Sequence, residues 1–392
     1  MNRAGYDLDI LEGLIDGLHP RFEAEFQALD GPGQYPFLRL SWLRAFESSQ
    51  AVSERTGWIP RHVAIWRRGQ LLAFAPGYIK LHSFGEFVFD QGWAQCSELQ
   101  LGVPYYPKYI VGVPFTPTTG PRLLMREGLD ETTRSELVEL FAATVCELCD
   151  QFQLSSVHIL FCEQDLATAL GALGFTQRLG VQYQFHNPGH QTFDDFLGTF
   201  KAKKRANIRR ERREVEKRGV EIKIRSGETL RPTDARLAYE LYLTTVDKYA
   251  WGRRYLNQEF FDRVFRDLPE VIHFVTAVDA ADQVIAGAFN LIGTSAIYGR
   301  YWGTFVQEQF LHFEVCLYSG IQDTIQRGLA RFEAGAGGEH KHGRGLAPTI
   351  TRSAHFIRDP KLSRLVAEFC AHEGQQIQRY VESEQDLSCE DA

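Results

Sequence analysis

The chain has 392 residues, of which 44% are hydrophobic and 24% charged, and its formal net charge is −7. The length exceeds what one ordinary hydrophobic core holds and predicts two domains, while the composition is typical of a soluble globular protein. No apolar run is long enough to cross a bilayer, and the first residues lack a secretory signal pattern, so we expect a cytoplasmic protein.

The first half predicts a strand wherever a short apolar run is bounded by turn residues. These runs are residues 61–66, 70–81, 86–90, 108–115 and 155–161. A helix is expected from Glu131 to Phe152, followed by a shorter helix that ends near Gly174. The seven cysteines are irregularly spaced, and Cys146 and Cys149 have no second pair to complete a zinc site. We therefore expect reduced thiols and no bound metal.

The second half repeats this order of elements. Residues 273–279 and 283–293 predict a hairpin, residues 295–303 a third strand, residues 312–329 a helix and residues 330–336 another strand. The two hairpins share a short pattern, Gln-Leu-Leu-Ala from Gln70 and Gln-Val-Ile-Ala from Gln283. The repeat predicts an internal duplication of one α/β unit. We place the lobes at residues 1–186 and 187–392, with room for one helix between residues 187 and 233.

A strongly basic segment lies near the start of the second lobe. Residues 201–218 contain ten Lys or Arg and three Glu, a local balance of +7. One reading is a solvated helix with internal ion pairs. The other is a helix that docks phosphates of a nucleotide cofactor, a tRNA or an anionic lipid surface. The candidate phosphate-binding residues are Lys201, Lys204, Arg205 and Arg209.

An aromatic and proline-rich run, residues 105–124, follows the first three predicted strands. Tyr105, Tyr106 and Lys108 open this run and are candidate substrate-binding residues, either as the lip of a cleft or as a packed domain edge. Asp90 ends the preceding apolar run, where a carboxylate either orients a substrate amine or caps a turn.

His312 and Glu314 stand at the start of the predicted helix 312–329. We take His312 as a candidate catalytic residue and Glu314 as a candidate substrate-binding residue. The alternative is structural, because a carboxylate in the first turn of a helix is stabilised by the helix dipole.

The run "EAGAGGEHKHGRG", residues 333–345, follows the last predicted strand of the repeat. His340 suits general base work near neutral pH, and Glu339 either holds that imidazole or acts as the base. Lys341 and Arg344 suit an oxyanion or a phosphate. A metal site is not expected, because His340 and His342 would face opposite sides of an extended chain. His355 is a further candidate for substrate binding, and the alternative to a site is a polar corner.

The chain resembles a bacterial family of FemAB-like predicted N-acyltransferases, described as peptidoglycan-biosynthesis proteins. The resemblance covers nearly the whole length and is carried by these runs: "FGEFVFDQGWA", "YYPKYIVGVPFTPTTGPRLL", "RANIRRERREV", "YWGTFVQEQFLHFEVCLYSGI" and "EAGAGGEHKHGRGLAPTITRSAHFI". It implies two fused lobes of the acetyltransferase (GNAT) type and the transfer of an acyl group from an activated donor to an amine.

The donor and acceptor are open at this stage. Our first hypothesis is long-chain acyl-CoA as co-substrate, with no permanently bound cofactor, and a lipid or small-molecule amine of the sphingoid type, with peripheral contact to an anionic membrane. The alternatives are a tRNA-dependent aminoacyl transferase acting on a cell-wall precursor and a non-catalytic module that docks an anion or a membrane. One departure weighs on the first hypothesis, because the acetyltransferase pattern Arg/Gln-x-x-Gly-x-Gly/Ala is absent after the strand 295–303.

Overall fold

The computed structural model describes residues 2–3, 5–29, 35–248 and 253–390. The side chains of residues 2–3, 339–340 and 385–390 lie outside this description. The chain divides into two compact units, Met1–Gly180 with Ile350–Gln378 and Val181–Thr349 with Arg379–Ala392. The first unit thus includes a C-terminal segment that a division at residue 186 assigns to the second lobe. We keep the lobes 1–186 and 187–392 as a proposal about the domains.

The first unit contains strands of two sheets. One sheet is antiparallel, in the order Asn2–Arg3, Tyr6–Leu11, His62–Arg67, Gln70–Ala75 and Leu124–Met125. The other runs in the order Ala347–Ile357, Ser156–Ile159, Lys108–Val111, Gly77–Lys80 and Trp58–Pro60. The α-helices of the first unit are Phe22–Gln27, Leu40–Ser48, Gln91–Gln95, Glu131–Gln151, Gln164–Ala172 and the start of Pro360–Glu390. Short helical turns lie at Pro36–Leu38, Glu54–Thr56 and Cys96–Gln100.

One parallel pair of strands organises this unit. Lys108–Val111 and Ser156–Ile159 run parallel, and the helix Glu131–Gln151 connects them. The helix begins at Asp130, whose carboxylate accepts the backbone N–H of Thr133 at 2.7 Å and so caps the first turn. The apolar face of the helix packs on the alternate strand residues that point towards it, including Tyr109, Val111, Val157 and Ile159.

The second unit has a similar arrangement of strands and helices. The strand order is Glu221–Arg225, Ile272–Val278, Val284–Ile292, Ala296–Thr304, Arg331–Glu333 and Thr176–His186. Ala296–Thr304 and Arg331–Glu333 run parallel, joined by the helical segment Leu311–Phe313, Glu314–Tyr318 and Ser319–Gln326. The remaining helices are Phe193–Gly198, Ala202–Glu216, Asp234–Val246 and Gln258–Asp267, with short turns at Gly227–Thr229, Pro269–Val271 and Glu339–Arg344.

Each unit therefore contains an antiparallel run of strands followed by a strand, a helix and a parallel strand. This repeated order confirms the predicted α/β fold of two related lobes. In open α/β sheets with such crossovers, ligands bind in the crevice outside the carboxyl ends of the strands.

Four local predictions were wrong. The single strand expected over residues 70–81 is two strands, Gln70–Ala75 and Gly77–Lys80, which lie in different sheets. No strand forms at residues 86–90, because the backbone turns at Phe87, where φ is +60°. The run of residues 339–344 forms a short 3₁₀ helix rather than an extended chain, so alternation does not describe His340 and His342. The stretch 187–233 holds two α-helices and a strand rather than one helix.

A buried ion pair in the second unit generates a stability prediction. Asp234 accepts bonds from Arg225 at 2.7 and 2.8 Å and from the backbone N–H of Arg231 at 2.9 Å. Asp234→Ala leaves a buried guanidinium without its carboxylate, so we expect a loss of about 3–5 kcal/mol in the free energy of unfolding.

Urea denaturation checks this value. Glu240→Ala is the matched control, because it breaks the exposed Arg236–Glu240 pair of the same helix and should cost far less. Equal losses in the two variants would contradict the assignment of Asp234 as a buried anchor.

Candidate functional site

Two pairs of polar side chains lie on the sheet face of the first unit that the helix Glu131–Gln151 does not cover. Lys80 and Lys108 are direct cross-strand partners, and so are His158 and His355. Because side chains alternate along a strand, these four point away from the apolar core that packs on the helix. Charged and polar groups thus share one buried sheet surface.

Lys108 is the centre of a fully buried charge network. Its ammonium donates to Glu86 at 2.7 Å, to the hydroxyl of Ser83 at 2.8 Å and to Asp90. Asp90 also accepts the hydroxyl of Tyr105 at 2.7 Å. Lys80, Ser83, Glu86, Asp90, Tyr105 and Lys108 form what we call the buried cluster.

Lys80 is the second cation of the buried cluster. It donates to the carbonyl of Phe84 at 3.2 Å, lies 3.8 Å from the ring centroid of Trp58 and is 3.9 Å from Oε1 of Glu86. Two lysines and two carboxylates balance in formal charge, which offsets part of the desolvation cost of each ion.

The two lysines and two carboxylates of the buried cluster have pKa values shifted in different directions. Burial lowers the pKa of Lys80 to about 7 and raises the pKa of Glu86 to about 7. Burial alone would raise the pKa of Asp90, but the ammonium of Lys108 holds it below its ordinary value. Burial alone would lower the pKa of Lys108, but Glu86 and Asp90 hold it above its ordinary value. Lys108 and Asp90 therefore stay ionised, while Lys80 and Glu86 titrate near neutral pH.

The histidine pair, His158 and His355, adjoins this cluster. The two Nδ1 atoms are 2.6 Å apart, and the hydroxyls of Ser156 and Ser353 lie 2.7 and 2.8 Å from the outer nitrogens. Burial lowers the pKa of both imidazoles, that of His355 to about 3. Both rings are therefore neutral at physiological pH. The hydroxyl of Tyr105, 3.5 Å from Nε2 of His158, connects the pair to Asp90.

Tyr106 connects the buried cluster to an open cavity. The tyrosine is half-buried, and its hydroxyl lies 2.8 Å from that of Ser83. It lines a cavity of about 360 Å³. Apolar Val103, Pro104, Leu154 and Leu362 also line it, together with Ser155, Arg358 and Asp359.

The first unit thus brings together Asp90, Tyr105, Tyr106, Lys108 and His355, which the sequence put forward as substrate-binding residues. Sequence reasoning missed Lys80, Ser83, Glu86 and His158. One signal was available, because Lys80 and His158 are polar residues inside otherwise apolar strand runs.

A cleft of about 720 Å³ lies in the second unit, along the helix Ala202–Glu216, which we call the basic helix. Arg209, Arg212 and Arg213 line it from this helix. Glu314 and Asp323 line it from the segments Glu314–Tyr318 and Ser319–Gln326, which form the crossover helix between the two parallel strands of this unit, as Glu131–Gln151 does in the first unit. We call it the arginine cleft.

Among the residues that the structure describes, five carboxylates line the arginine cleft: Asp194, Glu216, Glu221, Glu314 and Asp323. The two on the side opposite the basic helix, Glu314 and Asp323, have fixed partners. Arg212 makes a forked ion pair with Glu314, at 3.1 and 2.9 Å. Asp323 accepts from Arg327 at 2.6 Å and pairs with Nε2 of the fully buried His273 at 2.8 Å. Burial alone would raise the pKa of Asp323, but His273 and Arg327 hold it below its ordinary value. The cleft therefore offers positive and negative groups at once.

Only part of the predicted phosphate-binding set reaches this cleft. Arg209 lines it and pairs with the exposed Asp194 at 2.9 Å. Lys204 lies over the ring of Phe200 at 4.3 Å, and Arg205 donates to the carbonyl of Phe200 at 3.1 Å. Lys201 precedes the first residue of the helix. Sequence reasoning had not selected Arg213 for this role.

The glycine-rich run of residues 333–345 is held by Lys341. This lysine is buried, and its ammonium donates to the carbonyls of Ala334, Gly335 and Ala336 at 3.0, 2.8 and 3.4 Å. Burial lowers its pKa to about 8. In this arrangement Lys341 stabilises the turn with the donors that an oxyanion would need. Its catalytic role stays a prediction.

Two other residues predicted for this site, Arg344 and His312, contact neighbouring side chains of the second unit. Arg344 pairs with the buried Glu211 at 2.8 Å and lies over the ring of Phe313. His312 packs on Trp302 with ring centroids 4.5 Å apart. The side chains of Glu339 and His340 lie outside the described residues, so their predicted roles remain proposals.

Comparison with known proteins decides the family. A family model for FemAB-like proteins, described as peptidoglycan biosynthesis/recognition, matches residues 22–389. The chain belongs to the FemAB-like family. This membership confirms the resemblance seen in the sequence and, with the two-lobed α/β fold, supports an acyl or aminoacyl transferase. A search of curated protein sequences finds no match.

A solved structure supports the fold at low identity, and two others align over similar lengths with lower scores. A crystal structure of FemX is 12% identical, with a TM-score of 0.53 over 90% of this chain and 99% of that one. A structure of L-PGS from Bacillus licheniformis is 11% identical, with a TM-score of 0.47 over 87% and 99% of the two chains. A tandem GNAT protein from the clavulanic acid pathway is 11% identical, with a TM-score of 0.45 over 91% and 99%.

The structure also bears on membrane contact. None of the helices within the described residues combines the length and apolar character that a bilayer span requires.

The charge network generates a pH prediction for this FemAB-like protein. The raised pKa of Glu86 means that the folded state binds a proton more tightly than the unfolded state, so this side chain destabilises the fold as pH rises from about 4.5 to about 7. Glu86→Gln removes that titration. We expect the variant to gain about 3 kcal/mol relative to the wild type over this pH range.

Urea denaturation at several pH values measures the difference in the free energy of unfolding. Glu98→Gln, at an exposed position of the same segment, controls for the loss of one carboxylate. A difference that stays constant from pH 4.5 to pH 8 would show that Glu86 does not titrate in the folded protein.

Proposed function

We propose that this protein forms an amide by transferring an aminoacyl group from a tRNA ester to a primary amine of a cell-wall precursor. Membership of a family described as peptidoglycan biosynthesis/recognition supports the acceptor class. The exposed cationic surface of the basic helix is the observation that carries the donor class.

The basic helix presents more cations than its surroundings neutralise. Within the described residues, Lys203, Arg210 and Arg213 are exposed and make no ion pair. Arg209 has only an exposed partner, Asp194, and such pairs contribute little stability. These side chains are free to exchange weak contacts for phosphate contacts, which release counterions from a nucleic acid.

The shape of the surface favours a folded RNA over a single strand. The exposed cations lie on one rigid helix, and its exposed side chains are charged or small rather than aromatic. Double-stranded RNA is recognised mostly through phosphate and sugar contacts, whereas single strands need aromatic platforms for stacking. The acceptor stem of a tRNA fits the first description.

Ester aminolysis sets two further requirements. A base must remove a proton from the ammonium of the acceptor, and a donor must stabilise the carbonyl oxygen as charge develops. Glu339 and His340 are the candidates for the base from the sequence, with Lys341, His312 or a glycine N–H as further members of the site. The candidates for contact with substrate are Glu314, Arg344 and the residues around the buried cluster.

A long-chain acyl-CoA donor with a sphingoid-type amine is the competing pair. The pyrophosphate pattern is absent after the strand 295–303. In addition, a β-carbon at Gly299 would lie 3.1 Å from the carbonyl oxygen of Glu333 and 3.2 Å from the carbonyl carbon of Ala334. The parallel strands of the second unit thus pack closely at Gly299. The absent pyrophosphate pattern is the observation that favours the tRNA ester.

The test is incubation of the purified protein with charged tRNA and a lysine-containing cell-wall precursor, with the amide detected by mass spectrometry. Prior RNase treatment should abolish the product. A parallel arm supplies a panel of acyl-CoA thioesters with long-chain amines, including sphingoid bases. Product from that arm alone would replace the tRNA donor by a thioester, and no amide in either arm would indicate a docking module without catalysis.

Variants of the basic helix refine the same test. Arg209→Ala/Arg213→Ala should raise KM for charged tRNA by about tenfold, leave kcat nearly unchanged and reduce the salt dependence of binding by about two counterions. Arg236→Ala, which removes an exposed arginine from another helix of the same unit, is the matched control. An unchanged salt dependence in the double variant would place the donor elsewhere.

A further inference from the structure

The buried cluster of the first unit contains a continuous hydrogen-bonded path that the family assignment does not explain. The hydroxyl of Tyr106 lies 2.8 Å from that of Ser83, which accepts from Lys108 at 2.8 Å. Lys108 in turn donates to Oε2 of Glu86 at 2.7 Å. Each step is a normal hydrogen bond, and the path runs from a cavity wall to a carboxylate with almost no exposure.

We propose that Tyr106, Ser83 and Lys108 form a proton wire, which carries the proton of the acceptor amine from the cavity beside Tyr106 to Glu86. The inference rests on the proposed function, because an ammonium must lose a proton before it attacks an ester. It names Tyr106 as the group that touches the amine and Glu86 as the final proton acceptor.

The transfer balances without another reactant. The ammonium of the substrate gives its proton to the oxygen of Tyr106, whose own proton passes to Ser83. Lys108 first gives the proton that it shares with Glu86 to that carboxylate, which leaves a lone pair on Nζ. Rotation about the Cε–Nζ bond turns this lone pair towards Ser83, and Nζ then accepts the hydroxyl proton of Ser83. The products are a neutral amine and a neutral carboxylic acid, and Lys108 is an ammonium before and after.

The charges around Glu86 suit the role of acceptor. The charged groups that face it are Lys108, Lys80 and Asp90. Its pKa of about 7, raised by burial, lets it exchange a proton near neutral pH. Asp90 is not the final proton acceptor, because Lys108 and the hydroxyl of Tyr105 both stabilise its ionised form.

Glu86 also has an unused acceptor. Among the described residues its Oε1 atom is buried and makes no hydrogen bond, as is true of Oδ1 of Asp90. A buried polar atom without a partner costs free energy, so its retention suggests a use. On Glu86 the unpaired oxygen allows the carboxyl group to change protonation without breaking a bond to another element.

The cavity beside Tyr106 suits the chain that carries the amine. Val103, Pro104, Leu154 and Leu362 give it apolar walls, Ser155 and Tyr106 supply hydroxyl groups, and Arg358 and Asp359 add one charge of each sign. An alkylamine arm, such as a lysine side chain of a peptide, presents matching apolar carbons and one ammonium. We therefore assign this cavity to the arm of the acceptor that carries the nucleophile.

The direct test follows the exchange of the Glu86 proton and does not need turnover. The infrared carboxylic-acid band of Glu86 is assigned as the band that Glu86→Gln lacks. After transfer of the protein to D₂O below pH 7, this band should shift rapidly in the wild type and several-fold more slowly in Tyr106→Phe and Ser83→Ala. Equal exchange rates in wild type and variants would overturn the wire.

Turnover supplies the second readout. Tyr106→Phe should lower kcat for amide formation at neutral pH by about 10²-fold or more with little change in KM. The rate should recover at a pH where the amine is already neutral, which a purely structural defect would not allow. Because the groups act in series, Tyr106→Phe/Ser83→Ala should be no slower than the slower single variant.

Tyr109→Phe is the matched control. Its hydroxyl donates to the carbonyl of Arg61 at 2.6 Å from the opposite face of the same strand, so both readouts should stay near the wild-type values. If wild type forms amide and Tyr106→Phe is equally active at neutral pH, the wire is wrong and the proposed function stands. If wild type forms no amide from any donor, the proposed function fails and the infrared exchange alone decides the wire.

Discussion

The ion pairs of Lys108 are the constraint around which the first unit is built. A buried ammonium is costly unless its charge is paired, and Glu86 and Asp90 both meet Lys108 at hydrogen-bond distance. Both carboxylates come from the segment after the strand Gly77–Lys80, so the charge of Lys108 folds that segment back over the sheet. The same requirement explains why residues 86–90, which read as a strand, turn instead.

The two units share a similar arrangement of strands, but their polar residues lie in different environments. In the first unit, the face opposite the crossover helix carries polar side chains that are sealed from water. In the second unit, the crossover helix and the basic helix line an open cleft with arginines and carboxylates. Low dielectric strengthens every interaction in the first, whereas solvent weakens the exposed ion pairs of the second. The first is suited to moving protons and the second to contact with a charged ligand.

Along the parallel strands, polar and apolar side chains lie on opposite faces of the sheet, so the polar residues do not disturb the apolar core. Tyr109 and Val111 face the helix Glu131–Gln151, while Lys108 points to the other side. Alternation keeps the apolar core of one face independent of the polar network of the other. The repeated fold can therefore accept a polar face in one unit and a different site in the next.

Within the glycine-rich run, tertiary structure changed the reading of each predicted residue that is described. From the sequence, Lys341 was predicted to stabilise an oxyanion or a phosphate. In the structure its ammonium donates to three backbone carbonyls of the same run. Arg344 was predicted to bind a phosphate or an oxyanion, but in the structure it forms an ion pair with the buried Glu211. Local composition cannot distinguish these roles, because a cation binds a carbonyl, a carboxylate or a phosphate by the same chemistry.

The sequence by itself determined the α/β class, the duplication and the family, because hydrophobic periodicity and long characteristic runs are local properties of the chain. It also selected Asp90, Tyr105, Tyr106, Lys108 and His355 as residues of interest. Only the tertiary structure decided that these five meet in one network with Lys80, Glu86 and His158, since the His158–His355 contact joins residues far apart in the chain. Strand pairing and the neutralisation of buried charge act between distant segments, and no local pattern records them.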